Sequence, residues 1–448
     1  MKTETKLALI GTSISLFMMN LDTSIVSVGM PTMIKEFHTT FASGQWFVLI
    51  YLLVLTALIT AAGRLGDLAG RKTLFLAGIG IFTVASLLCG LSPNAPLFIL
   101  FRGIQGLGAA FILSLSMAIA TELAPPNQLG KIMGILSTVT ALGIASGPTV
   151  GGLLLSTIGW QSMFLVNVPF GIIAYGLTYK GVPSTGTKKI VNIDWVGIVL
   201  LAITLSAYCV GMTLIEKRAL GDAVVPLAAT IAGMIAFVWF EKKKRFPLLN
   251  LSIFRNKQIS RNLLATILVY TVIITTVVFP PFYLSKTGGY SPIQVGLIMS
   301  FGPLLTVALS VYAGKTADKY GAKKVMFYAV GAIALGCFCM STITQASPLT
   351  GYLWRIGIIA LGLNFFKTPN NTVVMEAAQS DQRGVLSSFL SLSRILGQIT
   401  GTAVMGVVFA FYGFTAVFLV NAFIAVFAAA LILPLKRRKL VAYEGVAG

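Results

Sequence analysis

Charge is what this sequence lacks. Only 10% of its 448 residues are Asp, Glu, Lys or Arg, where an average soluble domain carries roughly 25%. Acid is scarcer still, with 13 Asp and Glu against 33 Lys and Arg. A water-soluble fold could not cover its surface with so little, which excludes soluble enzymes, disulfide-built secreted scaffolds and disordered chains. Histidine is nearly missing: His38 is alone and reads as a surface residue of the first loop. The four cysteines (Cys89, Cys209, Cys337 and Cys339) all sit inside apolar runs without zinc or disulfide spacing, so they read as small buried side chains. No phosphate-binding loop is intact either. The stretch 181–188 has the wrong residue order, and Gly314-Lys315-Thr316 lacks the glycine that should stand at Leu309. Patterns for haem, metal or a catalytic triad are also missing. No cofactor and no enzyme activity are expected, and any work must draw on an ion gradient.

Apolar sequence is what the chain has in abundance, 56% of residues at a mean hydropathy of +0.89. Runs of about 20 apolar residues recur along nearly its whole length, the signature of membrane-spanning helices. Fourteen spans are expected, near 7–30, 44–66, 73–91, 96–121, 132–155, 162–180, 195–215, 223–240, 260–285, 293–313, 325–344, 349–375, 385–411 and 414–434. The first run follows Lys2 and Lys6 but precedes no small-residue cleavage site, so it is read as a span. The net charge of +20, taken alone, would fit a nucleic-acid partner. Its distribution points to a bilayer instead, because the basic residues fall in alternate short loops. One side carries Arg64, Arg71, Lys72, Lys131, Lys180, Lys188, Lys242, Lys315, Lys323, Arg383 and the tail Lys436 to Lys439; the other has little beyond Lys35, Lys217, Arg218 and Lys286. Both termini are therefore expected in the cytoplasm, which requires an even number of spans.

The chain also repeats itself. Gly159-Trp-Gln-Ser-Met-Phe-Leu-Val-Asn167 returns as Gly413-Phe-Thr-Ala-Val-Phe-Leu-Val-Asn421, shifted by 254. Gly63-Arg-Leu-Gly66-Asp67-Leu-Ala-Gly70-Arg71-Lys72 returns as Gly314-Lys-Thr-Ala-Asp318-Lys-Tyr-Gly321-Ala-Lys323, shifted by 251. Arg102 is matched by Arg355, shifted by 253. Two parallel six-span halves follow, at 1–181 and 259–435. The linker 182–258 holds two extra spans, and 436–448 is a basic cytoplasmic tail. Parallel repeats of six helices are the build of carriers that rock around a midplane site.

Several residues carry chemistry. Asp22 lies deep in the first span, where a carboxylate costs about 2.5–3.5 kcal/mol on insertion scales, so it is a functional candidate by default. Burial would let it cycle between protonated and charged forms; the alternative is a structural partner for Arg102. Arg102 stands about seven residues into the fourth span and should point inward or snorkel to the interface. Lys367 lies mid-span in Asn364-Phe-Phe-Lys367-Thr-Pro369-Asn370-Asn371. It could pair with Asp22 across a cavity, bind an anionic group on cargo, or snorkel. Arg394 is a further inward-facing candidate. Glu122, Glu376 and Asp381 sit at span ends and could lock helices against Lys131, Arg383 or Arg394, or simply be solvated. In the 63–72 loop, Gly66 and Gly70 permit a tight turn, Asp67 can meet a helix end or an arginine, and Arg71 faces lipid headgroups.

The 63–72 loop resembles the loop motif of the major facilitator superfamily. Arg102-Gly-Ile-Gln105-Gly106-Leu-Gly108 resembles the fourth-helix motif of that family, and Gly143-Ile-Ala-Ser-Gly147-Pro148-Thr-Val-Gly151-Gly152 its antiporter motif. Leu21-Asp22-Thr23-Ser24-Ile25-Val26-Ser27-Val28-Gly29-Met30-Pro31 is similar to the first-helix signature of its 14-span drug:proton antiporters, with departures at Ser24, Ser27, Gly29 and Met30. The resemblance covers essentially the whole chain. It implies an all-α integral membrane protein of two six-helix bundles plus a two-helix insertion. The implied function is proton-coupled efflux of drugs or small amphipathic compounds by alternating access, with dedicated export of one metabolite, such as a siderophore or antibiotic bearing a carboxylate or zwitterion, as the alternative. Asp22 and Arg102 would couple protons. Gln105, Asn364, Lys367, Asn370 and Asn371 would line the cargo cavity, with Trp46, Phe47, Tyr51, Phe365 and Phe366 as candidate aromatic walls. Gly63, Gly66, Asp67, Gly70, Arg71 and Asp318 would latch the outward-facing state. Gly143, Gly147, Pro148, Gly151 and Gly152 would seal the two halves against leak. The expected setting is a bacterial cytoplasmic (inner) membrane, with a monomer exchanging protons for a small molecule and no nucleic-acid partner.

Overall fold

A computed structural model describes residues 3–124, 128–183, 193–244, 248–249, 251–343, 348–376 and 383–433. The basic tail 436–448, Asp381 and Lys188 lie outside the described residues. Among those residues there are helices and no strands. In the first half run α1 (Thr3–Glu36), α2 (Phe41–Gly44), α3 (Trp46–Ala69), α4 (Arg71–Gly90), α5 (Ala95–Leu123), α6 (Leu129–Thr157), α7 (Ser162–Leu165) and α8 (Asn167–Gly181). Two further helices follow, α9 (Trp195–Glu216) and α10 (Leu220–Lys243). The second half runs α11 (Lys257–Val278), α12 (Pro280–Lys286), α13 (Pro292–Tyr320), α14 (Ala322–Ser341), α15 (Pro348–Glu376) and α16 (Arg383–Ile432).

Among the described residues, thirteen helical stretches are long and apolar enough to cross a membrane. The last, Leu386–Ile432, has 47 residues, about 70 Å of helix where a bilayer core needs about 30 Å. It breaks at Gly413, whose φ is 78°. That is two crossings, so the expected count of fourteen stands. Gly413 repeats Gly159, at φ 107°, and both mark the turn before the last span of their half. Polar side chains inside the spans mostly turn back on their own helix. Thr12, Ser15 and Thr56 each donate to the carbonyl four residues earlier, at 2.6–2.8 Å, so that these three hydroxyls are not left bare in oil.

Within the first half α1 packs on α6 and α8, and α5 on α3 and α4. Within the second, α16 packs on α11 and α14, and α15 on α13 and α14. The halves meet along two seams, α6 with α13 and α3 with α16. The inserted pair packs together, and α9 also touches both α3 and α16. Trp46 Nε1 donates to Thr213 Oγ1 at 3.0 Å and Gln45 Nε2 to Glu216 Oε2 at 2.8 Å. The insertion thus braces one seam from outside.

With fourteen crossings the first and last described residues lie on one face, here the terminal face. On the distal face the halves are shut. Phe41 of the first half packs against Phe282 and Phe409 of the second, with ring centroids 5.0 Å apart in both pairs. Thr149 and Ser300 hydroxyls are 2.6 Å apart across the other seam. A Cβ at Gly152 would fall 2.5 Å from the Pro292 carbonyl, so backbones touch there. On the terminal face a cleft of about 490 Å³ opens between the halves, lined by Thr60, Asp67, Leu115, Leu249 and Phe389 among others.

Candidate functional site

One polar knot lies inside the first half. Asp22 projects from α1 and is 0% exposed; Arg102 projects from α5 and is 1% exposed. Arg102 Nη1 donates to Asp22 Oδ2 at 2.6 Å. The other carboxylate oxygen accepts from Gln105 Nε2 and from Asn167 Nδ2, each at 2.9 Å. Gln105 Nε2 also reaches Ser86 Oγ at 2.8 Å. Arg102 completes its own shell with Nε donating to the Phe47 carbonyl at 2.9 Å, a contact from Nη1 to Gln105 Oε1, and the Tyr51 ring 4.5 Å from its guanidinium carbon. Five helices (α1, α3, α4, α5 and α8) supply the knot, and every charge in it is matched. A buried ion pair is a weak source of stability, because desolvation offsets most of the attraction; its presence here therefore argues for a role beyond holding helices together.

The repeat sharpens this. Asn421, the counterpart of Asn167, donates Nδ2 to Thr275 Oγ1 at 2.8 Å. Thr275 stands at the position equivalent to Asp22, shifted by 253. Arg355, the counterpart of Arg102, bonds among the described residues to backbone carbonyls, those of Cys339, Gly351 and Thr342. The same scaffold thus holds an ion pair in one half and a neutral hydroxyl–amide bond in the other. Sequence reading missed Ser86 and Asn167. The second stood inside the repeated 159–167 segment, but nothing in one dimension ties it to Asp22.

Several expectations are corrected. Gln105 does not line a cargo cavity: it is 0% exposed and spends its amide inside the knot. Asp22 does not pair with Lys367, since its carboxylate is filled by Arg102, Gln105 and Asn167. Phe47 and Tyr51 are 0% and 1% exposed and pack in the core of the first half, and Phe366 is likewise buried at 1%. Glu122 meets Arg71, at 3.3 Å, rather than Lys131 or Arg394, and the Arg383 side chain lies outside what is described.

The antiporter-like stripe also works differently from the expectation. A Cβ on Gly143 would meet the Phe17 carbonyl at 2.8 Å, on Gly147 the Cβ of Ser24 at 2.8 Å, and on Gly151 the Cγ1 of Ile25 at 2.7 Å. All three belong to α1, so the stripe joins α6 to α1 within one half. Of the five expected sealing residues, Gly152 and the carbonyl of Pro148 are the two that reach the second half, against Pro292 and Gly296 of α13.

The 63–72 segment is helical apart from Gly70, whose φ of 96° makes the turn into α4. Gly321 does the same between α13 and α14 at φ 88°. Gly66 is within α3 and packs on Leu115, and Gly63 faces Ser114. Asp67 accepts from Arg71 Nη2 at 2.9 Å within its own half and lines the terminal cleft. Asp318 is exposed and makes no ion pair among the described residues.

In the second half Asn370 Nδ2 donates to Thr266 Oγ1 at 2.8 Å, and Arg394 Nη2 donates to Asn371 Oδ1 at 2.5 Å. Asn364 is 3% exposed, and its Nδ2 has no partner. Lys367 is exposed and has no ion pair among the described residues.

Comparison with known proteins agrees with this architecture. The sequence model of the Major Facilitator Superfamily matches residues 12–274 and again 262–447. The chain is 31% identical over 400 residues to the riboflavin transporter RibZ of Clostridioides difficile (strain 630), covering 89% of this chain and 86% of that protein. It is 30% identical over 410 residues to the multidrug resistance protein Stp of Mycobacterium tuberculosis (strain ATCC 25618 / H37Rv), covering 90% and 76%. Among solved structures, a mutant of the nucleoside transporter NupG superposes with a TM-score of 0.70 at 16% identity, covering 95% of this chain and 98% of that one. A D-xylose-proton symporter gives 0.70 at 16%, covering 95% and 97%. Two bundles of six crossings, an inserted pair and a family match along nearly the whole length lead to one conclusion: the chain belongs to the Major Facilitator Superfamily and is a membrane transporter, not an enzyme.

Proposed function

We propose that the chain is a proton-coupled exporter of small organic molecules that works by alternating access. The observation that carries this reading is the Asp22–Arg102 pair, sealed within one half and absent from the matching place in the other. A proton arriving at Asp22 cancels the carboxylate and leaves Arg102 without its counter-charge. The knot then has to rearrange, and the five helices that supply it respond. Loss of the proton restores the pair. One buried charge therefore alternates with the conformational cycle, which is what coupling requires.

We read the terminal face as cytoplasmic, which the basic residues of alternate loops support, and the membrane as a bacterial inner membrane, in keeping with the bacterial relatives. The conformation is then inward-facing, shut by the aromatic contacts of Phe41 and by the Gly152 seam. Asp67, Arg71 and Asp318 are assigned to closing the cytoplasmic cleft in the opposite state. Export is favoured over import because relatives are named as multidrug resistance proteins and a drug efflux pump, and the riboflavin transporter is the reminder that one vitamin-like cargo can use the same scaffold.

The test uses proteoliposomes with a pH indicator inside and an imposed gradient, offered ethidium and riboflavin in turn. Cargo should move against the flow of protons and accelerate as the gradient steepens. Transport indifferent to pH on both faces refutes the proposal.

A further inference from the structure

The C-terminal half holds cations with no counter-charge among the described residues. Asn364, Lys367 and Asn371 are spaced three and four residues apart on α15 and share one face. That face looks toward α11 and α16, as the bonds of Asn370 to Thr266 and of Arg394 to Asn371 establish. Arg394 spends one nitrogen on Asn371, while its buried Nε has no hydrogen-bond partner. Asn364 is 3% exposed, and its Nδ2 is another buried donor left open. Lys367 has neither hydrogen bond nor ion pair among the described residues. Its Cα lies nine residues inside the end of α15, about 13 Å of helix. Among the described residues no acid compensates. Asp22 is consumed by Arg102, and the other acidic residues described sit at or near helix ends.

Two cations and two open N–H donors on facing helices, in a setting where bare charge is costly, call for an anionic guest. We propose that Lys367, Arg394 and Asn364 form a subsite for a carboxylate or another oxyanion on the transported molecule. The proposal rests on the transport reading above and adds the chemical class of the cargo, an organic anion or zwitterion with an apolar body. It assigns the two tasks to separate halves: the proton to the Asp22 knot, the cargo headgroup to the α15–α16 face. The same chemistry would attract an anionic lipid headgroup, so the source of the oxyanion is part of the test.

Three probes of equal shape separate charge from shape: 1-naphthoate, 1-naphthamide and 1-naphthylmethylammonium. Binding to the purified full chain is read from the rise in Tm with probe concentration, at constant pH, in phosphatidylcholine nanodiscs with and without phosphatidylglycerol. Naphthoate should bind about tenfold or more tightly than the amide, the ammonium probe more weakly still, and phosphatidylglycerol should not compete. Lys367→Gln and Arg394→Gln should each remove the preference for naphthoate, whereas Lys367→Arg should keep it. Lys367 is exposed, so its variants guard against a folding defect that Arg394→Gln alone could not exclude. Equal binding of the three probes, a preference surviving both Gln variants, or displacement of naphthoate by phosphatidylglycerol overturns the subsite. The binding is read at equilibrium, at one pH and with no gradient across the nanodisc. Failure of proton coupling therefore leaves this binding result standing, and failure of the binding result leaves coupling untouched.

Discussion

Asp22→Asn changes little in shape and much in charge, and the knot predicts how the protein responds. In the parent, one carboxylate oxygen takes Arg102 at 2.6 Å and the other takes Gln105 and Asn167 at 2.9 Å. An asparagine has a single acceptor oxygen. If that oxygen serves Gln105 and Asn167, its NH2 group faces the Arg102 guanidinium, donor against donor. If it turns to Arg102, the two amides face an NH2 group instead. Either way a guanidinium 1% exposed loses its counter-charge. Removing one partner of a buried pair costs about 3–5 kcal/mol. The Phe47 carbonyl, Gln105 and the Tyr51 ring still hold Arg102, which places the single variant near the lower end, about 3 kcal/mol. Asp22→Asn/Arg102→Gln removes both charges and should lie within about 1 kcal/mol of the parent. Thermal unfolding in detergent can be followed with a thiol-reactive dye, because Cys89, Cys209 and Cys337 are buried and react only on opening. The single variant should melt lower, the double variant near the parent, and neither should couple cargo to a pH gradient. A single variant as stable as the parent would refute the claim that Arg102 depends on Asp22. A double variant that still couples would remove the pair from the transport cycle.

Other outcomes follow from the same geometry. Gly70→Ala and Gly321→Ala force a side chain onto backbones at φ 96° and 88° and should each cost about 1–3 kcal/mol; Gly134→Ala, within α6 and with nothing within 4 Å, should be neutral or slightly stabilising in the same melting assay. A Thr149→Cys/Ser300→Cys pair should cross-link readily with an oxidant, since the parent hydroxyls are 2.6 Å apart. Adding Gly152→Val should cut the yield severalfold by wedging the Pro292 backbone, and an unchanged yield would show that this seam does not close on Gly152. At the base of α9, burial works against the charge of Asp194, but Lys244, the Gly197 N–H and Glu241 hold its carboxyl below the usual range. A lowered carboxyl contributes stability above its unfolded value and loses it as pH falls through the folded one. Asp194 also caps α9, accepting from Gly197 N at 2.9 Å. Asp194→Ala should therefore cost about 1 kcal/mol at neutral pH, a gap to the parent that narrows only below about pH 4; narrowing already between about pH 7 and 5 would contradict the assignment.

The order of spans, their number and the duplication were all legible in one dimension. A bilayer forces every backbone polar group into a helix, and helix length is set by the thickness of the oil, so apolar run length alone counts the crossings. The charged residues Asp22, Arg102, Lys367 and Arg394 could be picked out for the same reason, because charge in a span is rare. Their partners could not. Asp22 and Asn167 are 145 positions apart and meet only because α1 packs on α8, and Gln105 looked like a cavity residue until α5 turned it toward Asp22. The glycines at 143, 147 and 151 announced a close approach without naming the neighbour, which is α1 and not the other half. Sequence determined which residues had to leave the lipid; tertiary packing alone decided whom they would face, since direction around a helix and distance between helices are properties of the assembled bundle.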